Sequence, residues 1–484
     1  MQSLYDVIVI GSGAVGSSVA RELTRYKLRV CVLEKNQDVA RGITGRCTGM
    51  LHAGFLWPKG SLKAELVMEG NAGMDQLAAE LKFPFKRCGK LIIGNEPDEY
   101  ERTLIVKAQG EASGVEGLIM LNKEELHEME PHVYGEFAML SSRSGLFSPY
   151  GYNVALAENA VSNGAEYHFN SEVLSIDKTP EGYHAVNTKT GTYFSRWVVN
   201  AAGLGSEKVA HMMGFTQYKL RYVKAQYILL DKKSGERLKR PAYPAPDKDF
   251  EYDVHATPTL DGNVLIGPTN DEPVETVDFD STQKRLDVLM AKGGMLYDGY
   301  RDDYQIRNYC GMFPQAVDPE TGEDLTFQID LAPEEHVVNL VGITSPGLTS
   351  SYPIARRVIR MIKSVEELEE NPNFNPYREP ILKAKDLDVE ARAKLIEENP
   401  DYGEIICRCE EISKAEILQA IHNPLGTCSI ASVKYRCRAT MGRCQGGYCQ
   451  TRIAELIRQE TGMEMEDIRL DGPESYMFTG KVRE

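Results

Sequence analysis

Four cysteines in the last fifth of the chain have the spacing of ligands to an inorganic centre. They stand in two close pairs, Cys407 with Cys409 in "ICRCEE" and Cys444 with Cys449 in "MGRCQGGYC". Close thiolates at both ends of a short helical segment can surround one centre, and the neighbouring Arg408 and Arg443 would offset its negative charge. The pattern leaves two centres open, a [2Fe-2S] cluster and a structural zinc ion with thiolate ligands.

A second group of residues, near the start of the chain, has the spacing of a dinucleotide site. Residues 5–35, "YDVIVIGSGAVGSSVARELTRYKLRVCVLEK", predict a strand, a glycine turn, an amphipathic helix and a second strand that ends at Glu34. Gly11 permits the tight turn, Gly13 lets a pyrophosphate approach the backbone, and Gly16 lets helix and strand pack closely. The Glu34 carboxylate would accept hydrogen bonds from the ribose. A structural glycine turn is the alternative, but strand, helix, spacing and acid agree.

Length and charge limit the setting of these two groups. The chain has 484 residues, more than one hydrophobic core usually serves, so we expect two or three domains. Its net charge of -16 disfavours binding to nucleic acid or to an anionic membrane surface. No apolar run approaches the roughly 20 residues of a membrane helix, and the first residues lack a signal-peptide pattern. We therefore expect a cytoplasmic protein without a transmembrane segment.

Six further segments carry distinctive patterns, in order along the chain. They are "GITGRCTGMLHAGFLWPKGSLKAELVMEGN" (42–71), "FKRCGKLIIG" (85–94), "NAAGLGSEKVAHMMG" (200–214), "YPAPD" (243–247), "VHATPTLDGNVLIGPTN" (254–270) and "SPGLTSSYPIAR" (345–356). Over residues 1–365 the chain resembles the D-amino-acid oxidase superfamily, in the branch of the L-2-hydroxyglutarate dehydrogenases and the FAD-dependent glycerol-3-phosphate dehydrogenases. The resemblance implies that the dinucleotide is FAD.

The resemblance also implies an α/β fold, in which a Rossmann-type FAD-binding domain is interleaved with an antiparallel-sheet substrate domain. The FAD domain is expected at about 1–80, 145–215 and 335–365, and the substrate domain at about 81–144 and 216–334. The sequence is compatible with this division, because "RWVVNAAG" has the pattern of a buried strand that enters a glycine turn. Residues 215–340 hold short β-rich runs broken by Pro, Gly and Asp, as an antiparallel sheet requires.

The composition changes after residue 365. Residues 366–402 are charged and rich in Pro and Asn, with a helical pattern only in "VEARAKLIEEN" (389–399), so we expect a linker. Residues 403–484 resemble the small helical [2Fe-2S] module of bacterioferritin-associated ferredoxin, which also forms the tail of some bacterial flavin dehydrogenases. Because this resemblance includes "MGRCQGGYC" as well as the cysteine spacing, it favours the [2Fe-2S] cluster over zinc.

The resemblance assigns further residues to the FAD site, beside the three glycines and the acid. They are Lys35, Gly45, Arg46, Thr48, His52, Val173, Ala202, Gly203, Gly347, Leu348 and Thr349. Residues 337–362 predict a strand, a glycine loop and a helix that begins near Thr349. The amide dipoles at this helix start would face negative charge on a reduced flavin.

Two histidines are candidates for a catalytic base. Oxidation of a CH–OH carbon calls for a base near the flavin and a cationic anchor for the acidic group of the substrate. His52 in "MLHAGF" and His255 in "DVHATP" stand in the matching segments, and His255 is the first choice. The alternative for each is a hydrogen-bonded structural histidine.

One segment departs from the resemblance. Where many relatives carry an arginine in a "GLRA" or "GVRAQ" turn, this chain has "GMFPQA", with Met312 and Phe313. Loss of a substrate-facing arginine would remove a charge-assisted contact worth roughly 1.5 to 3 kcal/mol. Either Arg307, Arg301 or Lys224 takes its place, or the substrate differs.

The other cysteines are expected to be packing residues. They are Cys31, Cys88, Cys310, Cys428 and Cys437, which lie outside the metal pattern. Cys47 lies inside the flavin segment, where relatives commonly carry a small polar residue. We expect it to pack as well, with a redox role as the alternative.

These features together indicate a flavin dehydrogenase. The FAD part would take two electrons as hydride, and the cluster would pass them singly to a partner, which an oxidase would not need. We expect a small anionic 2-hydroxy acid as substrate, with L-2-hydroxyglutarate first and glycerol 3-phosphate second. The expected partner is an electron-accepting flavoprotein or a quinone-linked subunit, which includes the case of a hetero-oligomer. The alternatives are an amine or amino-acid dehydrogenase and a non-catalytic electron-relay subunit.

Overall fold

Two large β-sheets and a small helical module make up the described part of the chain. The computed structural model describes residues 4–269 and 273–480. Residues 1–3, 270–272 and 481–484 lie outside the described residues. Asn270, the last residue of the segment 254–270, is one of them.

The first sheet has eight strands within the described ranges and a parallel centre. Its strands are Leu4–Ile10, Val30–Leu33, Glu166–His168, Val173–Lys178, His184–Thr188, Gly191–Asn200, Gln328–Ala332 and Val337–Val341. Leu4–Ile10 lies between Val30–Leu33 and Gly191–Asn200 and runs parallel to both. These central strands are runs of Val, Ile and Leu because a parallel sheet is covered on both faces.

Two helices pack against each other and share one core with this sheet. They are Ala14–Leu23, which follows the first strand, and Gly347–Lys363, which follows the strand Val337–Val341. Each helix begins just after the carboxyl end of its strand. Since a helix start carries free N–H groups, this edge of the sheet is suited to an anionic ligand.

The second sheet has nine strands among the described residues. They are Lys90–Gly94, Leu118–Asn122, Phe137–Ser141, Lys219–Leu230, Ala242–Pro244, Ala256–Pro258, Val264–Ile266, Pro273–Val274 and Gln305–Val317. Lys219–Leu230 and Gln305–Val317 form a long antiparallel pair, and Ala242–Pro244 is parallel to Lys90–Gly94. Two smaller sheets complete the strands: Met50–Leu51, Phe85–Lys86 and Gly145–Phe147 in one, Ile405–Cys407 and Ile412–Ser413 in the other.

The remaining α-helices surround the sheets or form the C-terminal module. They are Leu62–Leu81, Pro97–Ala112, Lys123–Met129, Pro149–Ser162, Ser206–Met212, Lys232–Gly235, Gln283–Gly293, Val389–Glu398, Lys414–Ile421, Ile430–Cys437 and Gln450–Thr461. Within the described ranges, no helix combines the length and the apolar character that crossing a membrane requires.

The two large sheets are interleaved along the chain. The first sheet takes its strands from 4–33, 166–200 and 328–341, and the second takes them from 90–141, 219–274 and 305–317. This arrangement confirms the predicted α/β class, with an antiparallel-sheet domain inserted into a Rossmann-type domain. The residue boundaries proposed for the units stay a prediction.

Residues 366–402 lead from the FAD part to the C-terminal module. The backbone N–H of Asn371 donates to the carbonyl of Arg25 at 2.7 Å, and the amide of Asn159 donates to the carbonyl of Asn375 at 3.1 Å. The helix in this stretch is Val389–Glu398, close to the predicted 389–399. The segment therefore lies along the FAD part rather than free of it.

The C-terminal module is in direct contact with both other parts of the chain. Arg436, whose side chain is 1% exposed, makes ion pairs with Asp38 at 2.7 Å and with Glu158 at 3.4 Å. Arg438 makes an ion pair with Asp261 of the substrate part at 2.6 Å. Buried ion pairs require close packing on both sides. The segment 366–402 therefore does not hold the modules apart.

Candidate active site and metal centre

The glycine turn after the first strand has the geometry of a dinucleotide grip. Gly11 has a φ of +101°, and a Cβ atom there would lie 2.5 Å from the carbonyl oxygen of Ala201. A Cβ atom on Gly16 would lie 1.9 Å from the carbonyl oxygen of Gly11, so both positions need glycine for packing. Gly13 is more open, since the nearest atom to its Cβ position is Oγ1 of Thr44 at 3.3 Å.

Glu34 is held rigidly at the end of the second strand. One carboxylate oxygen accepts from the N–H of Ser12 at 2.9 Å and from its hydroxyl at 2.8 Å. The other oxygen accepts from the N–H of Asn36 at 2.9 Å and from its side-chain amide at 2.6 Å. The carboxylate is thus fixed in a position from which it can also accept from ribose hydroxyls.

A cavity of about 400 Å³ runs past both groups towards the second sheet. Most of the residues predicted for the site line it: Gly11, Gly13, Glu34, Lys35, Thr48, His52, Ala202, Gly203, His255, Gly347 and Leu348. The cavity therefore brings the dinucleotide residues and both candidate bases into one space.

Five predicted residues do not line this cavity. They are Gly16, Gly45, Arg46, Val173 and Thr349. Gly45 and Arg46 line a second cavity instead, and Val173 belongs to a hydrophobic cluster of the first sheet. Thr349 has a positioning role, because its hydroxyl donates to the carbonyl of Met50 and accepts from the N–H of His52, each at 3.2 Å.

The ring of His255 is buried and leaves one nitrogen open. Its Nδ1 lies 3.4 Å from the carbonyl oxygen of Asp253, which fixes the proton on that nitrogen. Its Nε2 has no hydrogen-bond partner among the described residues. Burial, together with a smaller effect of the charge on Lys90, lowers the pKa of His255 to about 3. His255 is therefore a neutral imidazole with a free lone pair.

His52 is a second buried imidazole in the same cavity. Its ring makes an edge contact with Trp57, with centroids 5.3 Å apart, and its carbonyl accepts from the amide of Asn71 at 2.8 Å. Burial, together with the charges of Lys90 and His255, holds the pKa of His52 well below its ordinary value. Both candidate bases are thus uncharged at neutral pH.

Lys90 is a functional candidate that sequence reasoning did not identify. Its side chain is fully buried, and its amino group has no hydrogen-bond partner in the described part of the chain. The amino group lies 4.6 Å from the ring centre of Phe55 and 4.5 Å from that of Tyr243, a cation–π arrangement. Burial lowers the pKa of Lys90 to about 7. The available signal was one basic residue inside the apolar strand "GKLIIG".

None of the three candidate replacements for the missing arginine lines the flavin cavity. Met312 is buried and Phe313 lines the cavity with an apolar ring. Lys224 makes an ion pair with Asp278 at 2.6 Å, and Arg301 pairs with its neighbour Asp303 at the surface. Arg307 lines the second cavity. The charge on Lys224 is therefore already balanced, and the lining of the flavin cavity includes two histidines and three tyrosines.

The six other cysteines lie where packing residues are expected. Cys31, Cys310 and Cys437 are buried, and Cys88 and Cys428 are partly buried. The thiol of Cys47 donates to the carbonyl of Thr44 at 3.4 Å, and burial raises its pKa to about 11. A thiol with a raised pKa is a poor nucleophile and reductant, which favours packing over a redox role.

The four cysteines of the C-terminal module come together as two pairs. The Sγ atoms of Cys409 and Cys444 are 3.5 Å apart, and both residues are exposed. Cys407 and Cys449 are buried, and a hydrogen bond from the Cys449 thiol lowers the pKa of Cys407 to about 6. Within the described ranges, no three potential ligands converge on one point. Two separated thiol pairs fit a two-iron cluster better than a single tetrahedral ion.

Comparison with known families agrees with this geometry. Residues 6–361 match the family described as FAD dependent oxidoreductase. The chain belongs to this family. Residues 405–459 match the BFD-like [2Fe-2S] binding domain. The protein is an FAD-dependent oxidoreductase with a [2Fe-2S] domain, as predicted.

Relatives of this flavoenzyme extend the likeness beyond the family. The chain is 35% identical to a glycerol 3-phosphate dehydrogenase of Caloramator mitchellensis, over 99% of both chains. It is 31% identical to a mitochondrial L-2-hydroxyglutarate dehydrogenase of Nematostella vectensis, over 54% of this chain and 62% of that protein. The dithionite-reduced L-α-glycerophosphate oxidase of Mycoplasma pneumoniae, solved with FAD bound, superposes with a TM-score of 0.70 at 26% identity. That match covers 78% of this chain and 98% of the other.

The flavoenzyme has residues suited to both groups. Gly13 and the helix start at Ala14 would receive the pyrophosphate, and Glu34 would receive the ribose, since all three line one cavity. One N–H at this helix start, that of Ala14, is already bound to Oγ1 of Thr44 at 3.0 Å. At the C-terminal module, two pairs of thiols would supply the four ligands of a [2Fe-2S] cluster.

Proposed function

We propose that this flavoenzyme oxidises the CH–OH group of a small anionic substrate and passes the electrons on through its cluster. The observation that supports this most strongly is the open Nε2 of His255, which lies in the same cavity as the dinucleotide residues. A neutral imidazole with a free lone pair can accept the proton of a substrate hydroxyl.

His255 takes the hydroxyl proton on Nε2, while Nδ1 keeps its proton on the carbonyl of Asp253. Bound FAD supplies a two-electron acceptor for the hydride that leaves the carbon bearing this hydroxyl. His52 lies in the same cavity and stays uncharged, so it orients the substrate oxygen by hydrogen bonding. Nε2 of His255 therefore accepts the hydroxyl proton, Nδ1 keeps its own proton, and FAD accepts the electron pair of the hydride.

The substrate we propose first is glycerol 3-phosphate. The relative of Caloramator mitchellensis with that name matches this chain over 99% of its length, so it includes the cysteine module as well as the FAD part. L-2-hydroxyglutarate is the second candidate, because the relatives named for it match part of the FAD-dependent region. Both compounds are small anions with a secondary hydroxyl, and a histidine base can accept the proton of that hydroxyl.

Residue assignments at the two cofactors are part of the proposal. We assign Gly11, Gly13, Gly16 and Glu34 to the grip on FAD. We assign the four thiols to one [2Fe-2S] cluster, with ligands Cys407, Cys409, Cys444 and Cys449. The buried pair faces the core of the module, and the exposed pair faces solvent.

The exposed thiol pair supplies the exit for electrons. Cys409 and Cys444 are flanked by Arg408, which lies 4.4 Å over the ring of Tyr448, and by Arg443, whose side chain is 58% exposed. Positive charge beside an exposed cluster attracts an acidic electron acceptor and raises the rate of encounter. The proposed acceptor is a flavoprotein or a quinone-linked subunit in the cytoplasm, with which this chain forms a hetero-oligomer.

Anaerobic bleaching of the flavin absorbance tests the substrate. Glycerol 3-phosphate should bleach the FAD of the purified protein, and L-2-hydroxyglutarate should do so more slowly or not at all. A protein bleached only by amino acids is an amine dehydrogenase, and the CH–OH proposal then fails. A protein that no small substrate bleaches, although dithionite reduces it, is an electron-relay subunit.

Electron exit is tested with a one-electron dye under air and under argon. Reduction of ferricyanide by substrate should be fast and insensitive to oxygen in the native protein. Cys444→Ser should slow dye reduction and leave flavin bleaching unchanged, because the substitution changes the cluster and not the flavin cavity. Equal dye rates in both proteins would mean that electrons leave directly from FAD.

A further inference from the structure

A second cavity, of about 190 Å³, lies where all three parts of the chain meet. The FAD part lines it with the loop 40–48, the substrate part with Arg307 and Tyr309, and the C-terminal module with Lys434 and Tyr435. Arg41, Cys47 and Thr48 line this cavity and the flavin cavity alike, so they form the wall between the two.

Arg41 is a buried cation without hydrogen bonds at this cavity. Its side chain is 7% exposed, and none of its three guanidinium nitrogens has a hydrogen-bond partner among the described residues. The nearest carboxylates are those of Asp471 at 3.4 Å and Asp38 at 3.9 Å. A guanidinium has five N–H donors, and burying all of them unsatisfied is unfavourable. The N–H groups of Arg41 therefore lack an acceptor among the described residues.

Two further cations face the same space. Lys434 lines the cavity, and burial lowers its pKa to about 7, assisted by the charges of Arg307 and Arg41. Arg307 has no ion pair with any other described residue, although its side chain reaches solvent. The charges of Arg307 and Arg41 are thus close enough to act on Lys434, and an anion beside the three groups would offset this repulsion.

The neighbouring Arg438 does not lack partners in this way. Arg438 makes ion pairs with Asp261 at 2.6 Å and with Glu410 at 3.2 Å. Among the described residues, the lining holds one acid besides Asp261, which is Asp471 with a side chain that is 47% exposed. Positive charge is therefore in excess at Arg41, Arg307 and Lys434.

We propose that this cavity is a binding site for a dianionic phosphate group, carried by inorganic phosphate or by a small phosphate monoester. Arginine forks bind phosphate through paired N–H donors, and three cations match two negative charges better than they match one. The cations come from the FAD part, the substrate part and the C-terminal module, one from each. A bound phosphate group links the three parts at one point.

The site is separate from the phosphates of FAD. Gly13 and the helix start at Ala14, which would receive the pyrophosphate, line the flavin cavity and not this one. Arg41 lines both cavities, whereas Lys434 and Arg307 line only the second one. Substitution of either residue therefore changes the new site and leaves both the grip and the candidate bases intact.

Calorimetric titration of the FAD- and cluster-loaded protein tests the proposal. Inorganic phosphate and methyl phosphate are titrated separately into phosphate-free buffer at constant ionic strength. Lys434→Gln and Arg307→Gln should each weaken binding about tenfold or more, since each removes one charge-assisted contact. Lys394→Gln, which removes a charge that is 78% exposed on another helix, should bind as the native protein does. FAD and iron contents equal to the native values show that the variants are folded.

The outcomes separate the sources of the phosphate. Tighter binding of methyl phosphate identifies a monoester as the ligand, and tighter binding of inorganic phosphate identifies the free ion. If neither binds saturably, or if both bind the two variants as tightly as the native protein, the proposal is wrong. In the second case the phosphate is bound in the flavin cavity, at the substrate position.

Discussion

The imidazole of His255 lies flat on the phenol ring of Tyr243, with ring centroids 3.7 Å apart and planes inclined by 13°. The other contact of the ring is its Nδ1 with the carbonyl of Asp253. These two contacts hold the ring with Nε2 open before any substrate arrives. As the proposed base, His255 therefore needs no reorientation to accept a proton.

Replacing His255 should impair turnover and leave cofactor binding intact. His255→Gln removes the proton acceptor, so kcat should fall by roughly 10²- to 10⁴-fold, the usual effect of losing a general base. Stopped-flow bleaching of the flavin by substrate measures this rate directly. His132→Gln is the matched control, since His132 is partly exposed and pairs with Asp298 away from the cavity. A native bleaching rate in His255→Gln would exclude the residue as the base.

Lys90 should give the reaction a pH dependence near neutrality. Because burial sets the pKa of Lys90 at about 7, its amino group is charged below that pH and neutral above it. The charge lowers the pKa of His255, so loss of the proton from Lys90 makes His255 a stronger base. The bleaching rate should rise with pH through about 7 in the native protein. In Lys90→Met this rise should be absent, and a rise that persists unchanged would assign it to another group.

The stability of the native protein should also rise with pH, and Lys90→Met should lack this rise. An unfolded lysine titrates near its ordinary pKa of 10.5, and folded Lys90 titrates at about 7. The unfolded state therefore binds more protons between these values, and the stability of the native protein rises with pH across this window. Lys90→Met should have a higher Tm than the native protein at pH 6, and the difference should shrink towards pH 10. Equal differences at both values would mean that the amino group is neutral throughout.

Short sequence patterns predicted the two cofactor sites. The features that could not be predicted depend on contacts between residues that are distant in sequence. The glycine turn and the cysteine pairs are short segments whose spacing is itself the signal, so a dinucleotide site and a thiolate-bound centre could be predicted. The family resemblance then favoured FAD and a [2Fe-2S] cluster. The surroundings of Lys90 could not, because Phe55 and Tyr243 come from distant segments and charged residues are seldom fully buried. The ion pair of Arg436 with Asp38 is equally remote in sequence. The composition of residues 366–402, which predicts a linker, therefore gave no sign that the modules touch.

Substitution of Glu34 should reduce retention of FAD. Glu34→Arg removes the ribose acceptor and the acceptor for the N–H and hydroxyl of Ser12, which the carboxylate now fixes at 2.9 and 2.8 Å. The variant should lose FAD on gel filtration and show a weaker flavin absorbance per chain. Glu236→Arg, a change of the same charge in the substrate part and away from the cavity lining, should retain FAD. Equal retention in both variants would contradict the assigned grip.

Each cluster ligand should be needed for iron but not for flavin. Cys407→Ser, Cys409→Ser, Cys444→Ser and Cys449→Ser should each lose most iron and acid-labile sulfide, since a serine oxygen is a poor ligand for this cluster. FAD should stay bound, because none of the four residues lines the flavin cavity. Cys428→Ser is the control and should keep its iron. Zinc without labile sulfide in anaerobically prepared protein would overturn the [2Fe-2S] assignment.

Removal of Arg436 should loosen the C-terminal module. Arg436→Gln leaves the buried carboxylate of Asp38 without its partner at 2.7 Å, and breaking a buried ion pair typically costs about 3 to 5 kcal/mol. Glu158 keeps its ion pair with Arg378 at 2.6 Å. Calorimetry should show a lower Tm, and dye reduction should slow while substrate bleaching of the flavin continues. Arg452→Gln removes an exposed ion pair with Glu404 and should cost less than about 1 kcal/mol. Unchanged dye reduction in Arg436→Gln would show that docking does not serve electron transfer.

The order of the strands in the first sheet determines when the flavin site can form during synthesis. The sheet begins with Leu4–Ile10 and takes its last strand from Val337–Val341, so a ribosome must release most of the chain before the sheet closes. The cysteine module is one contiguous stretch whose core closes through contacts within that stretch. The nascent chain therefore completes its flavin site first. The iron–sulfur module folds last and docks on a surface that already presents Asp38 and Glu158.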